Sequence, residues 1–436
     1  MKDTLLKKLT EYSGSFTPFH MPGHKRAFSR ASIPYSIDIT EVYGFDNLHD
    51  MQGILKDTAN LAKTLYNSVE SFPLVNGSTC GVLAGIYALT RENKNILIAR
   101  NCHKSVYNAV EILGLRAHYV LPEAHDLGLW GKVSAKDIEE KLIHNKIGTV
   151  VITSPTYEGV ISDVKKIYEV CKKHGAYLFV DCAHGAHLPK LHVDCDMCVM
   201  SLHKTLPSLT QTAVLNVYSN RVDMASVKHG LSIFETSSPS YILLASIDEC
   251  LRYTLKTHKD FELMYENLDD FYKETELLKN IKVFCFDDMG KIVISANDGQ
   301  ALAKKLREEK IEVEMVSENY VLAMATVADT KETLKALSSA LFKIDKDIKP
   351  ANLCKTKPFV LPKKSTDVAK ALNSSGSFLD FKDAKDKVCL EYIWAYPPGS
   401  PIIVPGETIS QEIIDYLAQK KDLKSTCGKF PQIYVK

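Results

Sequence analysis

Between about residues 70 and 220, short runs of β-branched and aromatic residues alternate with helical patterns, and this rhythm most narrows the choice of fold. The strand candidates are NILIAR, TVVIT, AYLFVD, MCVMSL and AVLNVY. Between two of them, SDVKKIYEVCKKHG reads as a helix with Ser162 as N-cap and Gly175 just past its end. Strand, helix, strand in this order predicts an α/β architecture, a mostly parallel sheet covered by helices on both faces. Ligands of such sheets bind at the carboxyl ends of the strands.

After about residue 280 the pattern changes. KVFCFDDMGKIVISAN reads as a hairpin turning at Asp288 to Gly290, followed by the helical GQALAKKLREEK. IEVEMV, YVLAMAT and the helical TKETLKALSSALFKI follow, so a smaller α+β domain is expected here. A connecting loop with three prolines, DKDIKPANLCKTKPFVLPKK, leads to a last helix whose start carries a capping-box pattern, Thr408 with Gln411. A chain of 436 residues exceeds what one core usually serves. The expected division is an N-terminal segment (1–45) that contributes to the site, a major domain (46–280) and a small C-terminal domain (281–436).

Charge excludes some partners. With 54 basic against 53 acidic side chains, formal charge +1, there is no general pull toward nucleic acid or an anionic membrane. The lysines are interspersed with acids rather than gathered into a stripe. The start, MKDTLLKKLTEYSG, lacks the apolar core of a signal peptide, and no uncharged run approaches membrane-spanning length. Eleven cysteines, an odd number, fit reduced thiols better than a disulfide framework, so a cytoplasmic protein is expected.

Four features fall at strand ends or a helix start. NGSTCG leads into an apolar helix, where Ser78 and Thr79 add hydroxyls to amides that can meet an anion. His103 follows a strand in ARNCHKS. Asp181 closes AYLFVD, where a carboxylate must be paired or lose charge to desolvation. Lys204 follows CVMSL, a place where a partly dry amine deprotonates readily and can attack an aldehyde. Each has a plainer structural explanation alone. In order they match what pyridoxal phosphate requires: a helix N-terminus for its phosphate, a partner for its flat ring, a carboxylate for its pyridine nitrogen and an amine for its aldehyde.

The chain resembles the ornithine/lysine/arginine decarboxylases of fold type I, the aspartate-aminotransferase-like architecture. The resemblance lies in TPFHMPGHKR, DITEVYGFDNLHD, PLVNGSTCG, ARNCHKS, SPTYEGVISD, VDCAHGAH, MSLHKTLPSLTQTAVL and YPPGSPIIVPGE, in the family's order over nearly the whole chain. It implies a short form without the receiver-like N-terminal domain of longer members. It implies that Lys204 bonds to the cofactor with His203 beside it. Ser78, Thr79 and Ser201 would hold the phosphate, His103 would stack on the ring with a part in catalysis, and Asp181 would face the ring nitrogen. ETSSPS matches a segment that reaches a partner subunit, so Thr236 and Ser238 would complete the cradle across a homodimer.

The expected reaction is decarboxylation of arginine, lysine or ornithine to a polyamine-type amine. The chain has no arginine beyond Arg307, whereas aminotransferases of this fold commonly clamp the substrate carboxylate with one. Another fold-type-I amino-acid reaction and a degenerate member are the alternatives. The substrate's distal cation needs a carboxylate, with Glu407 the candidate, then Glu41 and Asp46. A zinc site from His184, His187, His192, Cys195 and Cys198 is set aside because the cysteines fall in the strand run entering Lys204. No metal is expected.

Overall fold

A first short strand, β1 (Thr17–Phe19), precedes the seven strands of the large sheet: β2 (Glu70–Leu74), β3 (Asn95–Ala99), β4 (Arg116–Val120), β5 (Thr149–Thr153), β6 (Tyr177–Asp181), β7 (Met197–Ser201) and β8 (Ala213–Val217). This computed structural model describes residues 17–19, 45–188, 193–351, 359–395, 400–420 and 422–436. Glu41, His192 and most of the TPFHMPGHKR stretch lie outside the described residues. The sheet order is β2-β8-β7-β6-β5-β3-β4. Strands β3 to β7 are parallel, and β8 runs antiparallel to both β7 and β2. The carboxyl ends of β2, β3, β5, β6 and β7 therefore share one edge with the start of β8.

The helix Gly77–Leu89 lies close on this sheet because two of its residues lack a side chain. A Cβ on Gly85 would stand 2.3 Å from the Phe179 ring, and one on Gly81 would meet Leu74 at 2.6 Å and Val199 at 2.8 Å. The spacing of four places both on one helix face.

Local capping differs in detail from expectation. The helix Val164–Lys173 is capped by Asp163, which accepts from Lys166 N at 3.1 Å, while Ser162 Oγ accepts from Val133 N at 2.9 Å. The last helix, Gln411–Gln419, is capped by Ser410, since Thr408 Oγ1 is bonded to Ser365 Oγ at 2.6 Å. In both cases the hydroxyl expected to cap has a nonlocal partner.

The hairpin forms as expected from β9 (Lys282–Cys285) and β10 (Lys291–Ser295), its turn closed by Lys291 N to Asp288 O at 3.1 Å. With β11 (Ile311–Val313), β12 (Met315–Val316) and β13 (Tyr320–Met324), the antiparallel sheet runs β12-β13-β10-β9, and β11 pairs in parallel with β1. Its core joins Ile292, Ile294 and Val321 to Leu337, to Phe19, and to Met264, Leu268 and Phe271. The helix His258–Thr275 thus packs with the residues after it. A separate cluster of Ile393, Ile403, Ile413, Leu417 and Ile433 surrounds the last helix. Among the described residues, those after 280 contribute to a third cluster as well, in which Val293, Met315 and Leu322 meet Leu127 and Val160 of the large domain. Among the described residues, no helix is long and apolar enough to cross a membrane.

Candidate active site

Each strand ending at the shared edge delivers one part of a cleft. After β2, Gly77 turns with φ 74° and its N–H donates to Gln211 O at 2.8 Å. This left-handed turn suits glycine. Asn76, the N-cap, spends its Oδ1 on Thr236 N at 3.0 Å and gives the helix no side-chain cap. The first-turn amides around Ser78 and Thr79 thus keep their capacity for an anion.

After β3, His103 caps the helix Lys104–Ile112, and its Nδ1 accepts from Ser105 N at 3.2 Å. His103 is exposed along the cleft, while desolvation by the atoms around the ring, then Lys204 and Lys104, lower its pKa to about 4. The ring is neutral near pH 7. At the end of β6, Asp181 is buried and accepts from Ala183 N at 3.1 Å. Burial raises its carboxyl above the usual range, with the Lys204 charge opposing. A positive ring nitrogen beside it would relieve that penalty.

After β7, the single turn Leu202–Thr205 carries Lys204. Burial lowers its ammonium pKa, with Asp181 and Glu314 pulling the other way. Lys204 Nζ lies 3.0 Å from His184 Nε2. His203 Nδ1 donates to Thr212 O at 3.0 Å.

Ser78, His103, Asp181 and Lys204 line one cleft. Thr79 stands exposed on the same first turn as Ser78, and Ser201 Oγ, at the end of β7, is buried with no hydrogen-bond partner among the described residues. Thr236 and Ser238 sit at the surface beside Asn76. These features fit the expected cofactor: an uncapped helix start, an orphan hydroxyl, a neutral ring, a buried carboxylate and a desolvated amine.

Two site residues came from motifs without an assigned role. The Tyr157 ring meets His184 edge-on at 4.4 Å and lies 5.9 Å from Lys204 Nζ. Burial, then Lys204 and Lys291, hold the His184 ring well below its ordinary pKa. A lone CAHGAH run carries no signal of this, because the partner of His184 lies in the next strand-end motif. His187 bonds Asp288 Oδ1 at 3.1 Å, and Cys195 and Cys198 are buried.

The substrate carboxylates need correction. Glu407 is 1% exposed, and its Oε2 accepts from Arg100 Nη2 at 2.8 Å and from Val404 N at 2.8 Å. It ties the C-terminal unit to the large sheet instead of facing the cleft. Asp46 accepts backbone N–H groups from Asn47, Gln52, Gly53 and Leu55, the closest at 2.7 Å. Against burial, which raises a carboxyl, these amides hold it below the usual range. It anchors the start of the helix Ile54–Tyr66. Glu41 lies outside the described residues.

Known proteins resemble this chain over most of its length. Residues 4–298 match the sequence model described as Orn/Lys/Arg decarboxylase, major domain, and residues 352–432 match that of its C-terminal domain. The uncharacterized protein YaaO of Bacillus subtilis is 30% identical over 443 residues, covering 93% of this chain and 92% of its own. An arginine decarboxylase of Halalkalibacterium halodurans is 28% identical over 441 residues, covering 92% and 89%. The crystal structure of the lysine decarboxylase LdcF of Francisella novicida superposes with a TM-score of 0.78 at 17% identity, covering 99% of this chain and 84% of that one.

Proposed function

The chain belongs to the Orn/Lys/Arg decarboxylase family, and from that premise we propose that it decarboxylates arginine to agmatine and carbon dioxide with pyridoxal phosphate. The observation that carries the reading is the convergence of Ser78, His103, Asp181 and Lys204 from four strand ends on one cleft. Arginine is placed first because the sequences of arginine decarboxylases match nearly the full length of this chain, whereas the sequence of a lysine decarboxylase of Pseudomonas aeruginosa matches 53% of it.

When bound, the cofactor supplies an aldehyde and a conjugated electron sink. The chain does the rest. The helix amides, with Ser78, Thr79 and Ser201, would hold the phosphate. His103, neutral and fixed by Ser105, would cover one ring face. Asp181 would keep the ring nitrogen protonated, which deepens the sink. Lys204 provides the amine, lowered toward its nucleophilic form by burial and held by His184. Lys204 and His203 would be the groups that return a proton to Cα.

A decarboxylase gains little from gripping the departing carboxylate in the ground state. Thr236, half-buried, and Ser238, exposed, are where a second copy would meet the cradle. A homodimer with shared sites is part of the proposal.

Carbon dioxide release from arginine, lysine and ornithine, measured with added cofactor for wild type and Lys204→Ala, tests the reading. Release from arginine is expected to fall by roughly 10³-fold or more in the variant. Formation of a keto acid without carbon dioxide would overturn it.

A further inference from the structure

The cleft at Lys204 continues into a larger cavity, and the two share Trp130, Glu158 and Ser400. Among the described residues, only two carboxylates line the inner cleft, Asp181 and Glu158. Asp181 serves the ring nitrogen under the proposed function. Glu158 stands at the junction, 6% exposed, with Oε1 accepting from Tyr320 OH at 2.8 Å. Burial raises its carboxyl, with the Tyr320 hydroxyl and the Lys291 charge among the effects opposing it. An arriving cation would restore what desolvation removes.

The charges around Glu158 leave room for one more cation. Lys291 Nζ sits 3.5 Å from His184 Nδ1, and its charge acts on the buried Asp288 as well as on Glu158. Arg100 is matched by Glu407. Toward solvent, the larger cavity is lined by Asp298, Glu318 and Asp422 against Lys420, which pairs with Glu318 at 3.6 Å. This acidic excess favours entry of a cation.

We infer that Glu158, anchored by Tyr320, receives the distal cation of the substrate side chain, and that the outer cavity is its entry. This rests on the basic-amino-acid reading above. Glu158 acts in specificity, displacing the role expected of Glu407 and Asp46.

The test titrates the absorbance of the bound cofactor with arginine and with citrulline, its neutral counterpart of the same shape, in wild type, Glu158→Gln and Tyr320→Phe. Wild type is expected to bind arginine about tenfold or more tighter than citrulline, and Glu158→Gln to bring the ratio to about threefold or less through weaker arginine binding. Tyr320→Phe keeps the carboxylate and loses its anchor, so a ratio lowered about threefold is expected. That variant decides the matter should Glu158→Gln fail to load cofactor. A wild-type ratio near one, or a ratio unchanged in the folded variants, overturns the inference. Intact discrimination without carbon dioxide release would overturn the decarboxylase reading and leave Glu158 in its role.

Discussion

At the inner end of the cleft, Ser78, His103, Asp181 and Lys204 each follow a strand of one sheet. At the outer end, Trp130, Glu158, Tyr320 and Ser400 come from two loops of the large domain, the second sheet and the entrance to the C-terminal unit. Ladder hydrogen bonds place the inner residues, and docking between apolar units places the outer ones. Chemistry common to a reaction class suits the first kind of support. Choice of side chain, which varies between relatives, suits the second.

Breaking the docking is the severest way to separate the two ends. Arg100 and Glu407 are each 1% exposed, and Arg100 Nη2 also reaches Ile402 O at 2.9 Å. Burial raises the Glu407 carboxyl and Arg100 opposes this. Removing one partner strands a buried charge, so Arg100→Met is expected to lose about 3–5 kcal/mol in urea unfolding. The double variant Arg100→Met with Glu407→Leu should recover most of that loss. Equal losses in both would mean that packing, not charge, joins the units.

Just before the helix that carries Ser78, Val75 N donates to Glu235 at 2.9 Å, and burial pushes the Glu235 carboxyl up to about 7. A folded pKa above the unfolded one gives stability that is fully present below about 4.3 and lost as pH rises through about 7. Wild type should therefore weaken between pH 5 and 8 by up to about 3 kcal/mol from this group. Glu235→Gln should flatten that slope. Unfolding curves at the two pH values check it, and equal slopes in both proteins would remove Glu235 as the cause.

The smallest effect sharpens the role of the ladder. Gly85→Ala forces a methyl toward Phe179, with a loss of about 1–3 kcal/mol expected from overpacking. Since the same helix carries Ser78 and Thr79, cofactor affinity should fall with it, measured by absorbance titration. Unchanged affinity would show that the helix start is held independently of its packed face.

The strand ends were legible because each local run implies its own direction and end, and a polar residue there stands out. The acids misled for the opposite reason. Glu407 looks like a first-turn helix acid, yet its partner Arg100 is 307 residues away in sequence. Asp46 looks available, but it is consumed by amides of the turn that follows. Ser162 and Thr408 were reasonable caps until neighbours remote in sequence took their hydroxyls.

By itself the sequence determined the α/β sheet, the order of the strand-end residues and the amine at Lys204, because hydrophobic period and turn chemistry act over a few residues. Only the tertiary structure decided that His184 holds that amine, that the C-terminal region divides among several apolar clusters, and that Glu158 rather than Glu407 lines the cleft. Those outcomes depend on which buried polar groups find partners across units, and a linear pattern does not encode distance in space.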